Sequence, residues 1–277
     1  MIAALINGQL SKTVSINSRG LNYGDGLFET INVVNGFPEF LDRHLERLRV
    51  DCDRLQIDCD LDAVRQDILS ILGHASGSKH VVKVLITRAA SGRGYKPVFG
   101  LSADRIVLLD TLPVANNNYI QSGVKLKLCN HRIGINTDLA GIKHLSRLEN
   151  VMARSEWADS NTAEGLVMDS VGHVIEGTMS NVFLVQRGEL QTPSLARCGV
   201  AGIIRGVILE QIAPQLGLKT QVKDIYLKDI LAADELFICN SLIGIWPVVA
   251  IGCHHKSIGK LTRKIQHSLT NRASERA

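Results

Sequence analysis

The sequence predicts two α+β domains, a smaller one over residues 1–114 and a larger one over residues 115–277. Two observations lead there. Alternating and β-branched runs outnumber helical stripes and often follow one another directly, which suits mixed layers and not a doubly wound sheet. A cluster of turn-formers, Pro113-Val114-Ala115-Asn116-Asn117-Asn118, breaks the pattern in mid-chain.

Ala3–Asn7 and Phe28–Val34 read as strands, with Asn35-Gly36 as a hairpin signal. Leu41, Leu45, Leu48, Cys52 and Leu55 recur at helical spacing and predict a helix with one buried face. Leu61, Val64, Ile68 and Ile71 predict a second helix, stopped by Gly73. His80–Thr87 and Arg105–Thr111 are β-branched strands. After the break, Val124, Leu126 and Leu128 alternate with Lys125 and Lys127, a strand with one wet face. A helix carrying Leu145, Leu148, Val151 and Met152 follows. Then come strands at Gly165–Asp169, His173–Glu176 and Asn181–Gln186, with Arg187-Gly188 turning into Glu189–Thr192. Gly202 opens a helix through Leu216 that Pro214 should kink or end early. Glu235–Asn240 is a strand, and Ile258, Leu261, Ile265 and Leu269 mark a terminal helix.

A hydrophobic content of 45% supports a substantial core. The net charge of +4 is mild, and no basic patch is interleaved with aromatics, so nucleic-acid binding is disfavoured. The small excess of positive charge suits an anionic small-molecule substrate. The six cysteines include no C-x-x-C pair and read as reduced thiols, as in the cytoplasm. Met1–Ile6 is too short for a signal peptide, and no apolar run approaches a membrane span. His254-His255 lacks partners at metal-ligand spacing, so no metal is expected. There is no G-x-G-x-x-G after a strand, no phosphate-loop lysine motif and no G-x-S-x-G elbow.

Other residues carry chemistry. Lys143 lies between Gly141 and an amphipathic run, with His144 and Arg147 as neighbouring cations that favour a neutral amine able to condense with an aldehyde cofactor. Glu176, after Val174-Ile175 and before Gly177, can pair with a pyridinium N–H. Gly199-Val200-Ala201-Gly202-Ile203-Ile204-Arg205 runs a loop into a helix start, a place for a phosphate. Asn240-Ser241 at a strand end offers further donors. Arg47 can meet phosphate as a fork. Arg93 and Tyr95, flanked by glycines, can take a carboxylate. Each of these has a plain structural counterpart: a solvated lysine, a surface turn, a snorkelling arginine.

In order, however, they form one pattern. Tyr23-Gly24-Asp25-Gly26, His44-x-x-Arg47-Leu48, Lys143, Glu176-Gly177 with Asn181, and Ala201-Gly202-Ile203-Ile204-Arg205 resemble the fold-type IV pyridoxal-phosphate enzymes. That family holds the D-amino-acid and branched-chain aminotransferases and the aminodeoxychorismate lyases. Gly141–Glu149, Ser91–Tyr95 and Ile238–Leu242 look most like the lyase subgroup, whereas Glu29 resembles the aminotransferases. Branched-chain aminotransferases usually carry a tyrosine near the place of Thr162. D-amino-acid aminotransferases tend to have a tyrosine where Phe28 stands and a histidine where Tyr95 stands.

The resemblance implies a two-domain D-amino-acid aminotransferase-like fold with pyridoxal 5'-phosphate as cofactor. It implies Lys143 as the residue that links to the cofactor and as acid/base, and Glu176 at the pyridine nitrogen. Arg47, Ile203, Ile204 and Ser241 would hold the phosphate. Thr30 and Asn240 would lie near substrate, with Arg93 and Tyr95 reaching carboxylates from a neighbouring subunit of a homodimer. The implied activity is conversion of 4-amino-4-deoxychorismate to 4-aminobenzoate and pyruvate in folate biosynthesis, with an aminotransferase as the alternative.

Overall fold

The computed structural model describes residues 1–90, 94–112 and 118–274. Contacts divide the chain into two units. The first takes Met1–Pro113 and also Lys143–Ser146; the second takes Val114–Ile142 and the chain from Arg147 on. The 114/115 boundary read from the sequence lies outside the described residues.

The first unit is built on a six-stranded antiparallel sheet: β1 (Ala3–Ile6), β2 (Gln9–Leu10), β3 (Gly26–Val34), β4 (Phe37–Pro38), β5 (Lys79–Thr87) and β6 (Asp104–Thr111), in the order β2-β1-β6-β5-β3-β4. Asn35 and Gly36 both take left-handed φ, 52° and 82°, and give the β3–β4 hairpin its tight turn. Its helices are α1 (Arg19–Tyr23), α2 (Leu41–Leu55) and α3 (Leu61–Ile71). Leu27, Ile31 and Val33 of β3 are buried, as are Leu45, Leu48 and Cys52 of α2 and Val64, Ile68 and Ile71 of α3. Asp60 caps α3 by accepting the Ala63 N–H. The end of α2 is capped from a distance: Arg88 donates to the carbonyls of Leu55 and Gln56 at 2.7 and 2.6 Å.

The second unit carries a ten-stranded mixed sheet. Its strands are β7 (Val124–Ile133), β8 (Thr162–Asp169), β9 (His173–Gly177), β10 (Asn181–Gln186), β11 (Glu189–Pro193), β12 (Thr220–Lys223), β13 (Ile225–Tyr226), β14 (Glu235–Asn240), β15 (Gly244–Ile251) and β16 (His254–His255). The order is β12-β11-β10-β14-β15-β7-β8-β9-β13, with β16 on β15. Arg187 and Gly188 repeat the hairpin geometry, φ 52° and 78°, between β10 and β11. Phe183 and Phe237 are fully buried and stack across β10 and β14, ring centroids 5.0 Å apart. Helices α4 (Asn118–Ser122), α5 (Leu148–Arg154), α6 (Ile203–Val207), α7 (Ala213–Gln215), α8 (Leu227–Ala232) and α9 (Lys260–Ser274) complete it. No helix among the described residues is long and apolar enough to cross a membrane.

Two helix starts need correction, and two other elements differ from regular geometry. The helix expected to include Leu145 starts at Leu148, and Leu148, Val151 and Met152 are exposed on it. Leu145 instead lies in a bend and donates its N–H to the Gly26 carbonyl. The sequence reading assigned no element to Gly244–Ile251, which forms β15 with Pro247 inside it, a residue rare in central strands. The strand tolerates it because pairing with β7 begins only at Val248, so the missing N–H interrupts no ladder on that side. The helix is irregular at Pro214, as its sequence suggests: the turn before it widens into a π segment, Ile208–Ile212, between α6 and α7, and α7 ends at Gln215. Finally, α9 starts at Lys260 and not near Ile258, because the Glu235 carboxylate accepts the N–H groups of Leu261 and Thr262.

Candidate active site

Lys143 sits on the edge of β3. Its carbonyl accepts the Phe28 N–H at 3.0 Å, and His144 bridges to Leu27. Its own N–H donates to the Asp51 carboxylate of α2, also at 3.0 Å. The Lys143 ammonium lies 4.0 Å from the centroid of the Phe28 ring. Lys143 is therefore in extended chain and not on a helix, so Arg147 is not stacked one helical turn from it. Arg147 donates instead to the Ile142 carbonyl. Thr30 is two residues from Phe28, and the β-strand period puts both on one face of β3.

The opposite face of β3 carries a buried charged cluster. Glu29 is 2% exposed, and its Oε1 accepts the Arg47 Nε–H at 2.7 Å. Its Oε2 is shared by Arg47 Nη2 and His44 Nδ1, the latter at 2.6 Å. Burial pushes the Glu29 carboxyl up, but Arg47 and His44 outweigh it and hold it at about 2. Burial also lowers His44 from its ordinary value, against the pull of Glu29. Tyr95 is exposed. Its ring lies 5.3 Å from that of Tyr23, and its carbonyl accepts from Arg19. Arg93 lies outside the described residues.

In the second unit Glu176 is buried at the end of β9, and its Oε2 accepts the Val200 N–H at 2.8 Å. Asn181 Nδ2 donates to the Val200 carbonyl, and its Oδ1 accepts the Gly202 N–H at 3.1 Å. Gly141 and Val200 form a bridge, with the Gly141 N–H on the Gly199 carbonyl and the Ala201 N–H on the Gly141 carbonyl. Gly202 caps α6 with no side chain, which leaves the first-turn amides, those of Ile203 and Ile204 among them, without a side-chain cap. Helical turns run on from Ile203 to Gln215, adding their dipole. A Cβ on Gly202 would lie 2.0 Å from Asn181 Oδ1, and one on Gly199 would lie 3.3 Å from Glu176 Oε2.

Ser241 is half-buried in the turn after β14. Asn240 is committed to shaping that turn: its Oδ1 accepts from Leu242 and Ile243, and its Nδ2 donates to the Met179 carbonyl. No group of three or more residues suited to a metal ion occurs among the described residues.

The model of the amino-transferase class IV family matches residues 26–251. The chain belongs to the amino-transferase class IV family. It is 34% identical to an aminodeoxychorismate lyase of Vibrio harveyi, over 95% of this chain and 98% of that one. It is 28% identical to a D-alanine aminotransferase of Bacillus licheniformis, over 96% and 95%. Among solved structures it is similar to the 4-amino-4-deoxychorismate lyase of Pseudomonas aeruginosa, with TM-score 0.93, 42% identity and coverage of 97% and 98%.

The sequence reading of this class IV chain gave no role to Glu164 or Asp51, and quoted His44 in the His44-x-x-Arg47 pattern without assigning it one. Glu164 is fully buried on β8 and accepts from the backbone of Gly165, Thr178 and Met179 and the hydroxyls of Thr178 and Ser180. It holds the turn that follows Glu176. Asp51 anchors Lys143, and His44 joins Arg47 on Glu29. A signal for Asp51 and His44 was present: both interrupt an apolar stripe at helical spacing. Glu164 carried no such signal, because it lies on a strand and its donors are backbone amides and two common hydroxyls.

Proposed function

We propose that this class IV chain is a pyridoxal-phosphate-dependent lyase that converts 4-amino-4-deoxychorismate to 4-aminobenzoate and pyruvate in folate biosynthesis. The observation that carries the reading is its likeness to aminodeoxychorismate lyases along nearly the whole chain. The donor set fits the cofactor. Lys143 offers a primary amine, Glu176 a carboxylate fixed on one side, and the Gly199–Ile204 segment a cradle that a Cβ would fill. The Arg205 Nε is buried without a hydrogen-bond partner beside this segment.

When bound, the cofactor supplies a conjugated ring that accepts electrons from the substrate carbon bearing nitrogen. Lys143 Nζ would hold the cofactor until the substrate amine takes its place, and the freed amine would then take the proton from that carbon. Glu176 keeps the pyridine nitrogen protonated. Arg47, oriented by Glu29, holds the phosphate with the amides of Ile203 and Ile204 and the hydroxyl of Ser241. Thr30 contacts substrate, and Asn240 acts through the turn it shapes. Arg93 and Tyr95 take substrate carboxylates. Loss of the enolpyruvyl group makes the substrate ring aromatic, which favours the forward direction.

A homodimer is part of this proposal, supported by the exposed apolar side chains of Leu148, Val151, Met152 and Met179. A cytoplasmic location is supported by six free cysteines.

The test is to incubate the cofactor-loaded protein with 4-amino-4-deoxychorismate and follow 4-aminobenzoate fluorescence. The proposal expects steady turnover, abolished in Lys143→Ala. Glu29, with its aminotransferase likeness, favours one other reading. Stoichiometric pyridoxamine phosphate formation on adding D-alanine or L-leucine, with no aminobenzoate, would establish that reading instead.

A further inference from the structure

Helix α2 lays His44, Arg47 and Asp51 along one stripe at spacings of three and four, and His44 and Asp51 are buried on it. His44 and Arg47 are occupied by Glu29. Asp51 is 4% exposed and reaches 92 residues along the chain to the Lys143 backbone N–H. The Lys143 carbonyl is held separately by Phe28, and His144 by Leu27. The peptide groups on both sides of the Lys143 Cα are thus fixed, one by α2 and one by β3. With the backbone fixed, the amine is held over the Phe28 ring.

Keeping a carboxylate here is unfavourable. Burial pushes Asp51 above the usual carboxylate range, and the Lys143 N–H and Arg47 only partly offset this. A neutral acceptor could take the same hydrogen bond without that penalty. Packing alone therefore does not explain a polar side chain here, whereas an acceptor for the Lys143 N–H gives it a role.

We propose that Asp51 is a positioning residue for Lys143, its oxygen fixing the backbone from which the reactive amine is presented. This rests on the reading that Lys143 is the reactive amine. A displacement of about 1 Å at a reacting group can cost roughly 100-fold in rate.

The test uses Asp51→Ala and Asp51→Asn in the full chain. The first readout is exchange of the Lys143 amide in lysine-labelled protein, its signal assigned by loss in Lys143→Arg. Asp51→Ala should lower protection of this amide about tenfold or more, as expected for one lost hydrogen bond. Asp51→Asn should keep it, since its side-chain carbonyl accepts the same bond. The second readout is kcat and KM of the holoenzyme. Asp51→Ala should lower kcat by about 10- to 100-fold with KM little changed, and Asp51→Asn should restore most of it.

Wild-type amide protection together with wild-type kcat in Asp51→Ala overturns the proposal. So does failure of Asp51→Asn to restore kcat while the amide stays protected, because the charge and not the hydrogen bond would then matter. If the wild type turns over no aminodeoxychorismate, the lyase reading falls. The amide exchange and the rate at which Lys143 combines with added pyridoxal phosphate then decide the positioning claim alone. Thermal melts of both variants separate misfolding from misplacement.

Discussion

Glu164 accepts both the N–H and the hydroxyl of Thr178, so one buried carboxylate on β8 holds the turn that follows Glu176. Met179 and Ser180 donate to its second oxygen at 3.0 and 2.9 Å. Removing the acceptor leaves several buried donors without a partner. Glu164→Ala is expected to destabilise the protein by about 3 kcal/mol or more. It should also weaken cofactor retention, because the turn follows Glu176 directly. Urea denaturation and equilibrium dialysis against pyridoxal phosphate measure the two effects; a fully stable variant with normal retention contradicts the assignment.

The Glu29 cluster sets an acid limit. The Glu29 carboxyl is depressed in the folded chain, from 4.5 to about 2, so its stabilisation is complete above pH 4.5 and is lost as pH falls towards 2. That shift corresponds to about 3 kcal/mol. His44 acts in the same sense: its folded value is lowered, so the unfolded chain takes up the proton first as pH falls below about 6.5. Denaturant stability measured between pH 7 and 3 should fall continuously. Glu29→Gln should be less stable at neutral pH but flatter on the acid side, and an unchanged slope in that variant removes Glu29 as the cause.

Gly202 is required for its size. Its φ of −67° is ordinary, but any Cβ meets Asn181 Oδ1. Gly202→Ala should cost about 1–3 kcal/mol through overpacking and weaken phosphate-dependent cofactor binding more than it weakens binding of pyridoxal without phosphate. Comparing the two ligands by fluorescence titration checks this, and an equal loss for both argues against the helix start as the phosphate site.

The thiols should react in a set order. Cys253 is exposed, while Cys239 is fully buried and burial pushes it up to about 12. The Cys52 thiol next to Cys59 lowers Cys59, whereas Cys59 and burial together raise Cys52. Timed iodoacetamide labelling with peptide mapping should therefore tag Cys253 and Cys59 well before Cys52 and Cys239. Early labelling of Cys239 would contradict its burial.

Strand alternation and helix stripes made most elements legible, including both Asn/Arg-Gly hairpins and the β14 strand. β15 went unassigned; it holds Pro247, whose penalty depends on which neighbour sits beside it, and one sequence does not reveal neighbours. Leu148, Val151 and Met152 set the helical period correctly but not its burial, because a stripe shows that a face is apolar and not what covers it. Lys143 and Glu176 stood out through chemistry that few residues can do. Asp51 showed only as a break in an apolar stripe, with a backbone N–H as its partner, and Glu164 not at all, because backbone amides and hydroxyls as common as those of Thr178 and Ser180 mark no position in a sequence.

The loop after Glu176 is gripped almost entirely through its main chain. Asn150 donates to the Thr178 carbonyl and Asn240 to that of Met179, opposite the Glu164 oxygens. The thioether of Met179, 54% exposed, takes no share in that grip. The side chain at position 179 can consequently be varied while its peptide stays put, so a substitution there probes the proposed subunit contact without loosening the loop after Glu176.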